Sequence, residues 1–547
     1  MKKRFSMFTV SALVIVSLFA GMQINELISG DDIYAQLGKF KDVLVLTEKY
    51  YIDEVSTTEL TEAAVTGLLE KLDPHSVYIA PRTFERVTEE FKGKYEGIGI
   101  SFRILNDTIT VLETIGGGPS ARLGILSNDR IVKIDDRSAI KFDETQVQKS
   151  LRGPKGTRVS VTIVRPGTPE PLVYEITRDE ISLASIDAAF MINDDVGYIQ
   201  ANKFNEQTHA EIQRSLNKLK EQGMKRLVLD LRWNPGGYLD QAVKMTDLFL
   251  DGGTKENPRK IVYTKARRSE FDETFVASTG EPFEKLPVIV LINHGSASAS
   301  EIVAGAIQDW DRGLVVGETS FGKGLVQRQW PLSDGSALRL TIAKYYTPSG
   351  RLIQRAYEGK DRSEYQREAY ERNEEEGYNV EHDLDTPISQ DSARPVFKTQ
   401  SGRVVYGGGG ITPDYIVKDN YLTQTTANIR RRDLFVAYTS SYLTGEGLSF
   451  RSTYGNNLKD FQKSYKVSEG MVKEFKMFVE SKGVTVDEKD FQKDLEYIKS
   501  ALKANIAQSL WGREGMVSIY LETDKQIQKA LTLFPEAEKI AGLHLTR

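Results

Sequence analysis

The stretch Leu291-Ile-Asn-His-Gly-Ser-Ala-Ser-Ala-Ser-Glu301 passes from an apolar run through small residues into Ile302-Val-Ala-Gly-Ala-Ile307. The pattern predicts a strand, a sharp turn and a helix. A hydroxyl at such a helix start, Ser298, lies beside free backbone N–H groups and the positive end of the helix dipole. Those groups can stabilise the oxyanion that forms when a serine attacks a carbonyl. Ser298-x-x-Glu301 also matches a capping box, in which the serine does no more than close the helix. Twenty-five residues after Ser298 lies Lys323, within Phe321-Gly-Lys-Gly-Leu-Val-Gln327. With Leu325 to Trp330 as a strand, Lys323 and Gln327 project from one face, and the flanking glycines leave the amine uncrowded. A lysine acts as base for a serine only when neutral, and bringing its pKa from about 10.4 to about 7 costs about 4.6 kcal/mol. Burial between apolar walls supplies shifts of that size, and Gln327 would hold the amine in line with Ser298. The plain alternative is a surface lysine in a glycine loop.

A third element, Leu229-Asp-Leu-Arg-Trp-Asn-Pro-Gly-Gly237, reads as a strand running into a glycine turn. Amides of Gly236 or Gly237 would form the second half of an oxyanion hole; an ordinary strand-to-helix turn explains the same residues. His294, four residues before Ser298, raises a Ser–His alternative, although no Asp in the local sequence orients it. Gly317 to Lys323 fits the phosphate-loop spacing, but Gly324 stands where a magnesium-binding Ser or Thr is needed. A strand rather than a helix follows, so no helix N-terminus faces the phosphates.

Composition narrows the chemistry further. The 547 residues contain no cysteine and five histidines, which removes cysteine nucleophiles, thiolate metal sites and a lipidated N-terminal cysteine, and makes a histidine-rich metal site improbable. With 72 basic and 77 acidic residues the net charge is −5, which gives no footprint for nucleic acid. At 40% hydrophobic and 27% charged the chain is globular. Met1-Lys2-Lys3-Arg4 precedes an apolar run from Phe5 to Met22, the pattern of an export signal without a small-x-small cleavage site. We expect residues 1–30 to be a signal peptide or signal anchor, with residues 5–22 in the cytoplasmic membrane and the remainder in the bacterial cell envelope or periplasm.

The elements that position these residues fall into four regions. Residues 31–92 show helical spacing through Leu37, Phe40, Val43, Leu44, Ala64, Leu68 and Leu72. Residues 93–182 carry short β-rich runs (Ile98 to Ile104, Thr108 to Leu112, Arg130 to Ile134, Arg158 to Arg165) broken by Gly, Asn and Pro. From 183 to 429 strand and helix alternate: Val196 to Gln200, a helix from Asn205 to Gln222, Arg226 to Leu231, a helix over Leu239 to Leu250, Pro287 to Asn293 and a helix from Ser298 to Trp310. Such alternation predicts an α/β layer with a largely parallel sheet. An acidic, solvated insertion is expected near 357–400, and 430–547 reads as helical.

Together these words resemble the C-terminal processing peptidases, the PDZ-containing tail-specific proteases. The matching segments are Gly295-Ser-Ala-Ser-Ala-Ser-Glu301, Gln308-Asp309, Gly317-Glu318, Phe321 to Gln327, Asp230-Leu-Arg232 with Asn234 and Gly236-Gly237, Leu72-Asp-Pro-His-Ser76 and Gly409-Gly-Ile-Thr-Pro-Asp414. They follow the family's order across roughly residues 35 to 417. The resemblance implies a multidomain α/β protein: a PDZ domain at 93–182, a crotonase-like or ClpP-like serine protease core, and helical N- and C-terminal regions. It implies a Ser298 nucleophile, Lys323 as general base, Gln327 as its orienting partner, and oxyanion donors at Ala299 and in the Gly236-Gly237 turn. Asp309 matches a supporting position, for which a helix-end carboxylate on an Arg or Lys is the alternative. Gly97-Ile98-Gly99-Ile100 resembles the PDZ loop that captures a chain terminus while the peptide adds as a strand, and Arg152 resembles an arginine that couples ligand to active site. No metal or organic cofactor is implied. Protein substrates held by their C-terminal ends are the expected partners; a second copy or an adaptor would engage the regions that the motifs leave unassigned. A non-catalytic PDZ-bearing scaffold is the competing class.

Overall fold

In a computed structural model the described residues are 33–375, 394–419, 421–455 and 457–543, so the expected membrane segment and residues 376–393 of the acidic insertion lie outside them. The chain forms two compact units, 1–78 and 79–547. In the first, helices Ile33–Tyr50 and Thr57–Leu69 form where the helical spacing predicts. Ser56 caps the second by accepting the Glu59 amide at 3.2 Å. Leu37, Phe40 and Val43 stand exposed, and among the helical residues only Leu69 is buried.

The second unit opens with helix Pro81–Lys92, which stops at Gly93 because that residue takes the left-handed conformation (φ 70°). A β-rich module follows. Strands Ile100–Leu105, Thr108–Thr114, Arg130–Ile134, Arg158–Val164 and Leu172–Thr177 pair in antiparallel order, so Ile100–Leu105 is an edge strand. Alternating Ile109, Val111, Ile131, Val159, Val161 and Ile163 point inward to one core, which Val147 and Leu151 of helix Glu144–Leu151 complete.

The α/β layer is a six-stranded sheet. Ile186–Met191 pairs antiparallel with Val196–Ala201, and Arg226–Asp230, Val288–Ile292, Leu314–Gly317 and Tyr415–Ile416 then add in parallel. Continuous runs such as Val288-Ile-Val-Leu-Ile292 are buried on both faces, as a parallel sheet between two layers requires. One face packs on helices Thr208–Glu221, Leu239–Asp247 and Ala299–Asp309. The other receives Val517, Leu521, Ile527, Leu533 and Phe534 from the far end of the chain. A second, antiparallel sheet joins Leu325–Pro331, Ala337–Tyr346, Lys260–Ala266 and Thr274–Val276.

The helical C-terminal region starts at Gln424 and builds its own core around Phe461, Phe475 and Ile498. Its long segment Leu495–Tyr520 is two helices joined at Gly512, whose φ of 67° and ψ of −158° break the helix. The described part of the expected solvated insertion is mostly exposed, but one face of it is buried. Helix Arg362–Glu375 buries Tyr365 and Ala369 completely, because its aromatic face packs on the segment that carries Lys323.

Candidate active site

The small residues before Ser298 let the chain turn sharply out of strand Val288–Ile292 into helix Ala299–Asp309. Ser298 itself takes φ 55° and ψ −112°, a conformation that costs a non-glycine residue about 1–3 kcal/mol. Hydrogen bonds hold it there. The Ser298 amide donates to Glu301 Oε2 at 2.7 Å, so the capping-box arm from Glu301 is present. The same carboxylate accepts from the Lys323 amide (2.9 Å), the Gly322 amide (2.7 Å) and Ser320 Oγ (2.5 Å). One buried side chain thus ties the backbone of the serine to the backbone of the lysine. Burial pushes the Glu301 carboxyl above its usual range, and the four donors pull the other way. Tyr345, on strand Ala337–Tyr346, adds a second tie: its hydroxyl lies 2.7 Å from the Lys323 carbonyl and 3.1 Å from the Ser298 carbonyl. Burial, reinforced by the Glu301 charge, raises its pKa well above that of a free phenol, so it stays a donor.

Lys323 Nζ donates to Gln327 Oε1 at 2.9 Å. A bulge between Val326 and Gln327 interrupts the pairing with strand Ala337–Tyr346, a local twist of the kind that re-aims side chains near active sites. Behind the lysine, the Arg355 guanidinium stacks on Tyr365 (4.1 Å) and Phe321 (5.0 Å), and its amide donates to the Gly322 carbonyl at 3.0 Å.

The glycine turn meets the serine from the opposite side. Gly236 (φ 95°) lies so close that a Cβ there would stand 2.8 Å from Ser298 Cβ and 2.7 Å from the Ala297 carbonyl. Its amide is committed to Asn234 Oδ1 at 2.9 Å. Among the described residues no acceptor meets the amides of Gly237 and Ala299. The Asn234 carbonyl takes the Ala297 amide (3.0 Å) and Ser300 Oγ (2.9 Å), so the turn is laced to the serine segment.

Ser298, Lys323, Gln327, Gly236, Gly237 and Tyr345 line one cleft of about 600 Å³. Phe91, Phe204, Leu239 and Leu325 give it apolar walls, with Glu90, Asp240, Lys203 and Arg339 among its polar residues. His294 does not line it: its Nδ1 faces Glu318 Oε2 at 3.1 Å and its ring packs on Trp233. Asp309 sits at the far end of the serine helix, where Oδ1 meets the buried Arg351 guanidinium at 2.5 Å and Oδ2 accepts the Ser349 amide. That is the helix-end carboxylate on an arginine. Among the described residues no cluster of three His, Asp or Glu side chains suits a metal ion.

In the β-rich module, Gly97 ends strand Lys94–Gly97 and Gly99 takes φ 75°. Ile98 and Ile100 are buried, and the Ile98 carbonyl accepts from the Ser120 amide and hydroxyl. Among the described residues no acceptor meets the Ile98 and Gly99 amides. Arg152 pairs with Glu89 at 2.5 Å and lies over the Tyr95 ring. Glu89 is next to Glu90 and Phe91, both cleft residues.

Glu301, Tyr345 and Tyr365 are the residues that motif reading left without a role at this site. Glu301 was visible only as a cap; the tyrosines reach the site from strands and helices with no local signature.

The chain is similar to known proteins along most of its length. Residues 195–360 match Peptidase family S41, 111–165 a PDZ domain, 20–83 the activating protease CtpB N-terminal domain, and 425–512 a family of unknown function. A carboxy-terminal-processing protease of Bartonella bacilliformis is 40% identical over 59% of this chain and 73% of its own. A carboxyl-terminal-processing protease of Synechocystis sp. is 36% identical over 56% and 71%. Among solved structures, a photosystem II D1 C-terminal processing protease is 27% identical with a TM-score of 0.32, covering 58% of this chain and 89% of that one.

Proposed function

The chain belongs to the carboxy-terminal processing proteases of peptidase family S41, serine endopeptidases that carry a PDZ domain, and on that premise we propose a Ser298–Lys323 dyad. The observation that carries the reading is the single cleft lined by Ser298, the hydrogen-bonded Lys323–Gln327 pair and Gly237. Neutral Lys323 takes the proton from Ser298 Oγ as the oxygen attacks the scissile carbonyl. The oxyanion rests on the amides of Ala299 and Gly237. On collapse the C–N bond breaks, and the leaving amine takes the proton from the Lys323 ammonium. Water, deprotonated by the once more neutral Lys323, then adds to the acyl carbon, and the second collapse breaks the acyl C–O bond as Ser298 Oγ takes the proton back from Lys323. Gln327 Oε1 fixes the amine throughout.

Substrate selection belongs to the PDZ domain. The open amides of Ile98 and Gly99 suit a terminal carboxylate, and the free edge of Ile100–Leu105 suits an added strand. Export, with residues 5–22 as anchor, completes the proposal; that segment lies outside the described residues.

Cleavage of an unfolded protein by wild type, Lys323→Ala and His294→Ala tests the dyad. Cutting is expected in wild type and His294→Ala, and activity surviving in Lys323→Ala overturns the assignment. Peptides with a free C-terminal carboxylate should bind where their amidated forms do not. Peptide binding without cleavage would favour a scaffold. N-terminal sequencing of the mature protein tests the anchor, for which an intact start at Met1 is expected.

A further inference from the structure

Arg232 is the last residue before the turn 233–237, and its guanidinium is held from two sides. On one, Nε contacts both oxygens of the fully buried Asp230 at 3.0 Å, Nη2 meets Oδ2 at 2.5 Å, and Tyr198 donates to the same carboxylate at 2.7 Å. On the other, Nη1 reaches Asp524 Oδ2 at 2.7 Å and Gln526 Oε1 at 2.8 Å. Both residues sit at the start of helix Lys525–Thr532, in the last part of the chain. Asp524 also caps that helix by accepting the Ile527 amide on Oδ1 at 3.0 Å, and Gln526 donates to the Val417 carbonyl beside the final parallel strand.

The C-terminal helices could cover the sheet with apolar side chains alone, as Ile527, Leu533 and Phe534 do. A buried ion pair adds a desolvation cost to such a cover, and in some proteins such pairs specify geometry rather than add stability. Here the geometry at stake is close by. From Arg232 the chain enters Trp233 (φ 62°), whose amide is held by Asn293 Oδ1 at 2.9 Å, and four residues beyond Arg232 reaches Gly236 against Ser298. Residues 513–543 lie outside each matched family segment.

We propose that Asp524 is a positioning residue for catalysis, which through Arg232 sets the Gly236–Gly237 turn against Ser298 and makes the C-terminal helices part of the active-site scaffold. This rests on the proposed role of the turn as oxyanion donor. The full-length chain is assayed as wild type, Asp524→Asn, Leu533→Ala and Ser298→Ala. Asn preserves a helix cap and removes the charge on Arg232. Leu533→Ala weakens the same cover without touching Arg232. The readouts are kcat and KM on a quenched fluorescent peptide, the rate at which a fluorophosphonate labels Ser298, and the melting temperature. Asp524→Asn is expected to lower kcat and the labelling rate together by about 10- to 100-fold at nearly unchanged KM, the scale set by misplacing reacting groups or an oxyanion donor. Leu533→Ala is expected to lower the melting temperature and keep kcat. Wild-type kcat in Asp524→Asn overturns the proposal, as does a loss of kcat matched by Leu533→Ala. Cleavage by Ser298→Ala at the wild-type rate would instead refute the serine mechanism beneath it.

Discussion

Replacing Glu301 with Gln isolates what its carboxylate does. Oε1 accepts Ser320 Oγ and the Gly322 amide; Oε2 accepts the Ser298 and Lys323 amides. A glutamine keeps one oxygen, so one pair of donors faces an NH2 group instead. Two charge-assisted bonds at about 1.5–3 kcal/mol each are lost, roughly 3–6 kcal/mol in all. Against this, burial already lifts the Glu301 carboxyl above its ordinary 4.5 despite four donors, so removing the charge returns a penalty of similar scale. We therefore expect the melting temperature to fall by only a few degrees, while kcat falls about 10- to 100-fold because serine and lysine are no longer held by one anchor. In one amide orientation Ser298 and Lys323 are displaced, and in the other Gly322 is, the residue before the base. The pH dependence has a definite sign. A carboxyl with a raised native pKa stabilises the fold fully below the unfolded value and loses that contribution as pH rises through the native one. Gln has no such titration, so the variant's melting deficit should be smaller at a pH well above 4.5 than at about pH 4.5. Initial rates on a quenched peptide and melting curves at both pH values measure these quantities. Wild-type kcat in the variant would refute the shared-anchor reasoning.

Three further outcomes follow from the geometry. Asp309→Ala leaves the buried Arg351 uncompensated and should cost about 3–5 kcal/mol, read as a large drop in melting temperature preceding any catalytic defect. Gly236→Ala forces a Cβ onto the Ser298 segment at a positive φ; at least a hundredfold loss of kcat is expected by comparison with losing an oxyanion donor. His294→Ala should retain kcat within about threefold, with a lower melting temperature from the emptied contact with Trp233 and Glu318, and a collapse of kcat would revive the Ser–His reading.

The pieces of the site closest together in sequence were the most legible. Spacing alone suggested a turn at Ser298 and a lysine–glutamine pair, because helix starts and strand alternation are local rules. The strand and helix order of residues 196–310 was legible for the same reason, through continuous apolar runs between amphipathic ones. What escaped reading depends on distant pairings. Glu301 looks like a cap in its own segment, and nothing nearby reveals that its second task is to hold residues 320–323. Tyr345 reaches the site because strand Ala337–Tyr346 pairs with the strand after Lys323, bulge included. The charged composition around Tyr365 suggested a solvated segment; most of it is exposed, yet Tyr365 and Ala369 on one helical face are buried. Arg232 and Asp524 carry no joint signal, being ordinary charges until the chain's end returns to the sheet.

The late arrival of that cover sets an order of assembly. A ribosome delivers the β-rich module complete by Ser182, whereas the sheet face made by Tyr198, Val228, Ile289 and Val316 stays bare until Leu521 to Ala537 emerge. Recognition can therefore fold first and cutting last. A chain without residues 521–537 leaves that apolar sheet face open and keeps Arg232 on Asp230 alone, without Asp524 and Gln526.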